Sequence, residues 1–82
     1  MRMIKFPLEV GLNTIDGFGL KLKYMDYQDR KLCGWFLEQG TDFSKYEVYL
    51  AVTGEEVPDE YQYVTSTQAA LAGGYYVLHA YD

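Results

Sequence analysis

The sequence predicts an all-β protein. It would have about six short antiparallel strands in a curled sheet, closed as a small sandwich or barrel, with little or no helix. Three observations predict this. Apolar residues recur at every second position through most of the chain, which is the repeat of a strand with one covered face. Short runs of Gly, Asn, Asp and Pro separate these stretches. The stretches themselves are rich in β-branched and aromatic residues, with nine tyrosines and four phenylalanines in 82 residues.

The first strand is read in IKFPLEV, where Ile4, Phe6, Leu8 and Val10 share a face and Lys5, Pro7 and Glu9 take the other. Pro7 has no N–H for the ladder, so this strand is expected at an edge or paired on one side there. NTIDG supplies turn residues through Asn13 and Asp16-Gly17. A second strand follows in GLKLKYMDY, with Leu20, Leu22 and Tyr24 facing one way and Lys21, Lys23 and Met25 the other. After the three-residue break QDR, which suggests a hairpin, KLCGWFLEQ is apolar on both faces and reads as a central strand or one covered on both sides. Gly34 within it suggests a bulge or a close backbone approach.

GTDFS reads as a loop. KYEVYLAV then sets Tyr46, Val48, Leu50 and Val52 against Lys45, Glu47, Tyr49 and Ala51. TGEEVPDE is an acidic, solvated loop, and YQYVTST is a further strand. QAALAGG is open between a wide hairpin loop and one helical turn capped by Ser66 or Thr67. The last strand, YYVLHAY, puts Tyr75, Val77, His79 and Tyr81 on one face and Tyr76, Leu78 and Ala80 on the other.

Eighty-two residues make one domain, 1–82, with a thin core. A lone cysteine, Cys33, excludes an internal disulfide, and one Cys with one His cannot complete a four-ligand zinc site in a single subunit. No cofactor is expected, and self-association into a homo-oligomer is the favoured way to add buried area. The net charge of −5 opposes broad binding to long nucleic acid, which needs a basic face. No run approaches the ~20 apolar residues of a membrane span. The free thiol and the absence of an export signal point to the cytoplasm.

Four of the seven basic residues, Lys21, Lys23, Arg30 and Lys31, fall within eleven positions of an acidic chain. They are read as an anion-binding cluster, because Arg and Lys neutralise phosphates and carboxylates. Tyr27, Trp35 and Tyr49 are the rings that would lie against a ligand. The competing reading is a strand kept soluble by its lysines. His79 is read as a partly buried histidine hydrogen-bonded to a tyrosine or to backbone rather than as a general base. Cys33 is read as a core residue rather than a nucleophile. The carboxylates Glu55, Glu56, Asp59 and Glu60 are read as loop solvation, since Val57-Pro58 breaks calcium-loop spacing.

The order of IKFPLEV, Gln28 with LCGW, TGEEVPDEYQYVTSTQ and GGYYVLHAYD resembles a family of short phage and prophage proteins with a domain of unknown function. The likeness covers nearly the whole chain, and His79, Tyr81 and Asp82 fall on the family's ending. A family histidine after Thr-Gly is Glu55 here, so no role carries over to that position. The resemblance implies a small accessory phage protein in the cytoplasm of an infected bacterium. Phage proteins of this size often act by binding. The function expected is therefore non-enzymatic counter-defence, sequestering a small anionic ligand such as a cyclic nucleotide signal. The alternative is inhibition of a host defence or nucleic-acid-processing protein through the acidic loop. A third reading is a minor virion component.

Overall fold

A computed structural model describes all 82 residues, Met1–Asp82, and contains strands and no helix. There are five strands, not six: β1 (Arg2–Pro7), β2 (Gly11–Gln28), β3 (Lys31–Val52), β4 (Tyr63–Leu71) and β5 (Gly74–Tyr81). All pairings are antiparallel, with β2 along one side of β3, and β1 and then β5 along its other side. β4 adds to the far side of β5. The sheet is strongly curled, so β4 packs against β2 although no ladder joins them.

Two expected loops are strand. NTIDG lies within β2 and GTDFS within β3. The reason is pairing. Asp16 sits opposite Lys45, Gly17 opposite Ser44 and Phe18 opposite Phe43, so the ladder runs through NTIDG and the end of GTDFS, while Gly40, Thr41 and Asp42 fall in a register step within β3. Asn13 nevertheless does turn work with its side chain. Its amide donates to the Glu9 carbonyl at 2.8 Å and its Oδ1 accepts from the Glu9 N–H at 2.9 Å, bracing the β1–β2 connection. QAALAGG is neither wide loop nor helix; β4 runs to Leu71 and turns in two residues, Ala72-Gly73.

The long β2–β3 ribbon bends once. The register steps from Phe18–Phe43 to Leu20–Glu38, leaving Gly19 opposite Gln39–Asp42. A Cβ on Gly19 would stand 2.6 Å from the Gly40 Cα, so only two glycines let these backbones cross. A second step, between Leu22 and Tyr24, loops out Lys23. One extra residue reverses every following side chain. This corrects the expected phase: Met25, not Tyr24, enters the core, and Tyr24 is 52% exposed. Gly34, directly across, has no bulge of its own. It is a close approach, where a Cβ would meet Leu8 and Phe36 at 2.8 Å.

Apart from Val10, the expected alternation of the first strand and of both halves of β3 holds. β1 is an edge strand ending at Pro7, and the first half of β3 is central, between β1 and β2. The concave face buries Leu22, Met25, Phe36, Val48, Leu50 and Leu78 almost completely, with Leu8, Leu20 and Leu32 beside them. Val10, expected on the buried face of the first strand, lies in the β1–β2 connection and is half exposed.

Candidate functional site

The β2–β3 hairpin closes in two residues, since Gln28 pairs with Lys31. Both turn residues are left-handed, Asp29 at φ 50° and Arg30 at φ 65°. That is the backbone of a type I′ turn, which matches the twist of a two-residue hairpin and favours Asn-Gly or Asp-Gly. Here Arg stands where Gly is favoured. A non-glycine residue in this region costs about 1–2 kcal/mol.

The turn hangs over a pocket of about 330 Å³. Tyr27, Arg30 and Lys31 line it from the hairpin. Pro7, Leu8 and Val10 line it from the end of β1 and the connection, and Leu32 and Leu71 complete its apolar wall. Glu9 is the one acidic residue in its lining. Tyr27 points inward because it lies opposite Leu32, in phase with Met25 after the bulge. The chain has two ion pairs, Arg2–Glu38 and Lys21–Asp82, so neither Arg30 nor Lys31 is in one.

Three of the seven sequence-read residues therefore meet at one site, and four do not. The Lys21 ammonium is paired with the Asp82 carboxylate, which also accepts from the Tyr46 hydroxyl. The Tyr46 oxygen in turn accepts from the Leu22 N–H at 3.1 Å. Lys21 is thus part of a latch between β2, β3 and the end of β5. Burial works against the Asp82 charge, but the hydrogen bonds from Lys21 and Tyr46 outweigh it and hold the carboxyl below the usual range. Burial first, and then the bond to Asp82, push the Tyr46 phenol well above its ordinary value.

Lys23 sits exposed in the bulge. Trp35 is on the outer face, with its ring 5.4 Å from that of Tyr24 and under the Lys5 ammonium at 5.2 Å. Tyr49 packs on Tyr61, with ring centres 5.9 Å apart. The single cluster expected from eleven consecutive positions is in fact divided: Lys21 is bonded to Asp82, Lys23 sits in the bulge, and Arg30 and Lys31 lie at the hairpin turn. What the sequence reading missed is the apolar wall: Leu8, Leu32 and Leu71 are far apart in the chain, and only strand order brings them together.

His79 has partners other than those expected. Its Nδ1 is 2.7 Å from Ser66 Oγ and its Nε2 is 2.8 Å from Thr53 Oγ1. The Ser66 oxygen is 2.8 Å from the Tyr63 hydroxyl, so tyrosine enters one step further out. The arrangement follows from register, since Ser66 and Ala51 both lie opposite His79 on neighbouring strands. A serine at this distance from an imidazole is the pairing a nucleophile and its base require. None of the three surface depressions is lined by either residue. Both ring nitrogens are engaged by hydroxyls, and Cys33, buried opposite Asp26 and Pro7, is not a partner.

In the acidic loop, Glu55 caps its own turn by accepting from the Val52 N–H at 3.3 Å. Its other oxygen is 3.4 Å from the Tyr49 hydroxyl. Glu56, Asp59 and Glu60 are exposed. Comparison with known proteins gives no match: no family model, no curated protein and no solved structure is similar to this chain.

Proposed function

We propose that this chain is a small non-enzymatic binding protein that captures a small anionic ligand at the pocket beneath the Asp29-Arg30 turn. One observation carries the reading. Arg30 and Lys31, free of ion pairs, stand at the rim of an apolar pocket, and Arg30 does so from a backbone conformation that favours glycine. Strained residues gather where a side chain is needed for function. Tyr27 supplies an apolar surface with a polar tip inside the same pocket.

In the setting that the phage-family resemblance implies, such capture serves counter-defence, removing an anionic signal such as a cyclic nucleotide from the host cytoplasm. Self-association fits the same reading. The molecule measures 41 × 31 × 15 Å, and its outer face exposes Leu12, Tyr63, Tyr75 and Val77. Tyrosine-rich faces of this kind are common at interfaces.

Calorimetry with inorganic phosphate, carboxylates, and cyclic di- and trinucleotides tests the proposal. Binding of at least one anion, weakened by Arg30→Gly and unaffected by His79→Gln, is expected. Absence of heat with every anion, at protein concentrations well above micromolar, would sink it.

A further inference from the structure

We infer that the ligand is an amphiphilic anion, with one carboxylate or phosphate head and an aliphatic body, in preference to a nucleotide. This rests on the reading of the pocket as an anion site and narrows it.

The lining divides by chemistry. Its cations are two residues adjacent in the chain, Arg30 and Lys31 on the hairpin. The rest of the lining is largely aliphatic: Leu8, Val10, Leu32 and Leu71. Leu8 and Leu32 belong to the hydrophobic core itself, so an alkyl chain lying here would extend that core.

A nucleotide needs different surroundings. A base is recognised by stacking and by groups that read its edges, and a cyclic dinucleotide has two bases and two phosphates. The pocket offers one ring, Tyr27, and no Asn, Gln, Ser or Thr. The other two candidate rings are engaged elsewhere, Trp35 with Tyr24 and Lys5, and Tyr49 with Tyr61. Glu9 in the lining disfavours a second negative charge. The volume, about 330 Å³, lies at the small end for ligand pockets and suits a single-headed molecule.

The wall is also held in place. Glu9 is bonded through both its N–H and its carbonyl to the Asn13 side chain, which fixes the segment carrying Val10. A preformed wall reduces the ordering needed on binding.

The test is calorimetry of the full chain with hexanoate, octanoate, decanoate, octyl phosphate, octanol and adenosine monophosphate. All are kept below micelle-forming concentrations. The dissociation constant should fall about fourfold per added methylene, which is the ~0.8 kcal/mol of each buried CH₂ converted at ~1.4 kcal/mol per tenfold. Arg30→Gly should weaken the charged members about tenfold or more and leave octanol unchanged. Val10→Ser, at a site 49% exposed and outside every strand, should flatten the chain-length trend while the circular dichroism spectrum stays that of the parent.

Binding of adenosine monophosphate with no response to the alkyl anions would overturn this inference and leave the anion site standing. Octanol binding as tightly as octanoate, or no heat with any compound, would overturn both. Vesicles of phosphatidylglycerol in phosphatidylcholine separate a bilayer headgroup from a free amphiphile. Binding to them without binding of the dissolved alkyl anions would also overturn the inference.

Discussion

Two regions of this sheet treat their cations in opposite ways. At the bend, Arg2 is bonded to Glu38 at 2.9 Å, Glu38 also accepts from the Phe18 N–H at 2.9 Å, and Lys21 is held by Asp82. Glu38 takes up the Phe18 N–H where the register steps, and Lys21 ties β2 to the end of β5. The Phe18 N–H, and then Arg2, hold the Glu38 carboxyl below its usual range. At the hairpin end, Arg30 and Lys31 lie over apolar residues without a carboxylate partner, and the backbone beneath Arg30 is strained. Cations at the bend serve the fold. Cations at the hairpin have no such bond, and the proposed ligand would supply it.

The two tight turns sharpen this contrast. Asp29-Arg30 and Ala72-Gly73 are both two-residue hairpin loops with two left-handed residues. In the second, the favoured glycine is present. Nothing would obstruct a Cβ at Gly73, so the difference between these turns is one of backbone preference and not of space.

The largest effect should come from the bend. Gly19→Val places a branched side chain at φ 61° against the Gly40 backbone. It should lower stability by about 3 kcal/mol or more, read as a drop in the urea midpoint. A loss below ~1 kcal/mol would mean the crossing is not tight.

Next is the latch. Asp82→Asn removes a charged acceptor shared by Lys21 and Tyr46 and should cost about 1–2 kcal/mol at neutral pH. The folded-state carboxyl titrates below its unfolded value. Its contribution is therefore fully present above the unfolded pKa and is lost as pH falls through the folded one. Parent and variant should converge in acid, below about pH 4. Curves that stay parallel would show that the charge contributes nothing.

The turn substitutions should be smaller and opposite in sign. Gly73→Arg should destabilise by about 1 kcal/mol, and Arg30→Gly should stabilise by ~0.5–1 kcal/mol. Smallest of all is Lys23→Gln, a bulge residue without an ion pair, which should fall within about 0.5 kcal/mol of the parent.

Much of this fold is legible in the sequence because a one-sided sheet imprints a period of two. β1, both halves of β3 and β5 show it, and Pro7 correctly marks an edge. Two things are not legible, for one reason. Local residue chemistry says where a chain can turn, while pairing decides where it does. Asp16-Gly17 is able to turn, yet it pairs with Ser44-Lys45 across the ribbon and stays in the strand. The bulge at Lys23 has no local signature either, and it exchanges the places of Tyr24 and Met25. The site inherits that limit. Tyr27, Arg30 and Lys31 are adjacent in sequence and could be read together, whereas the wall of Leu8, Leu32 and Leu71 exists only once β1, β3 and β4 are in place. The partners of His79 are hidden in the same way, since Thr53 and Ser66 reach it across two ladders.

The account turns on whether Arg30 is present for its side chain at the expense of its backbone. Thermal unfolding of the parent and of Arg30→Gly, each alone and with octyl phosphate, measures both sides at once. The variant alone should melt a few degrees higher, ~2–6 °C for a chain of this size, and the rise that octyl phosphate gives the parent should be clearly smaller. A variant that melts lower than the parent, or one that keeps the full ligand-induced rise, would contradict it.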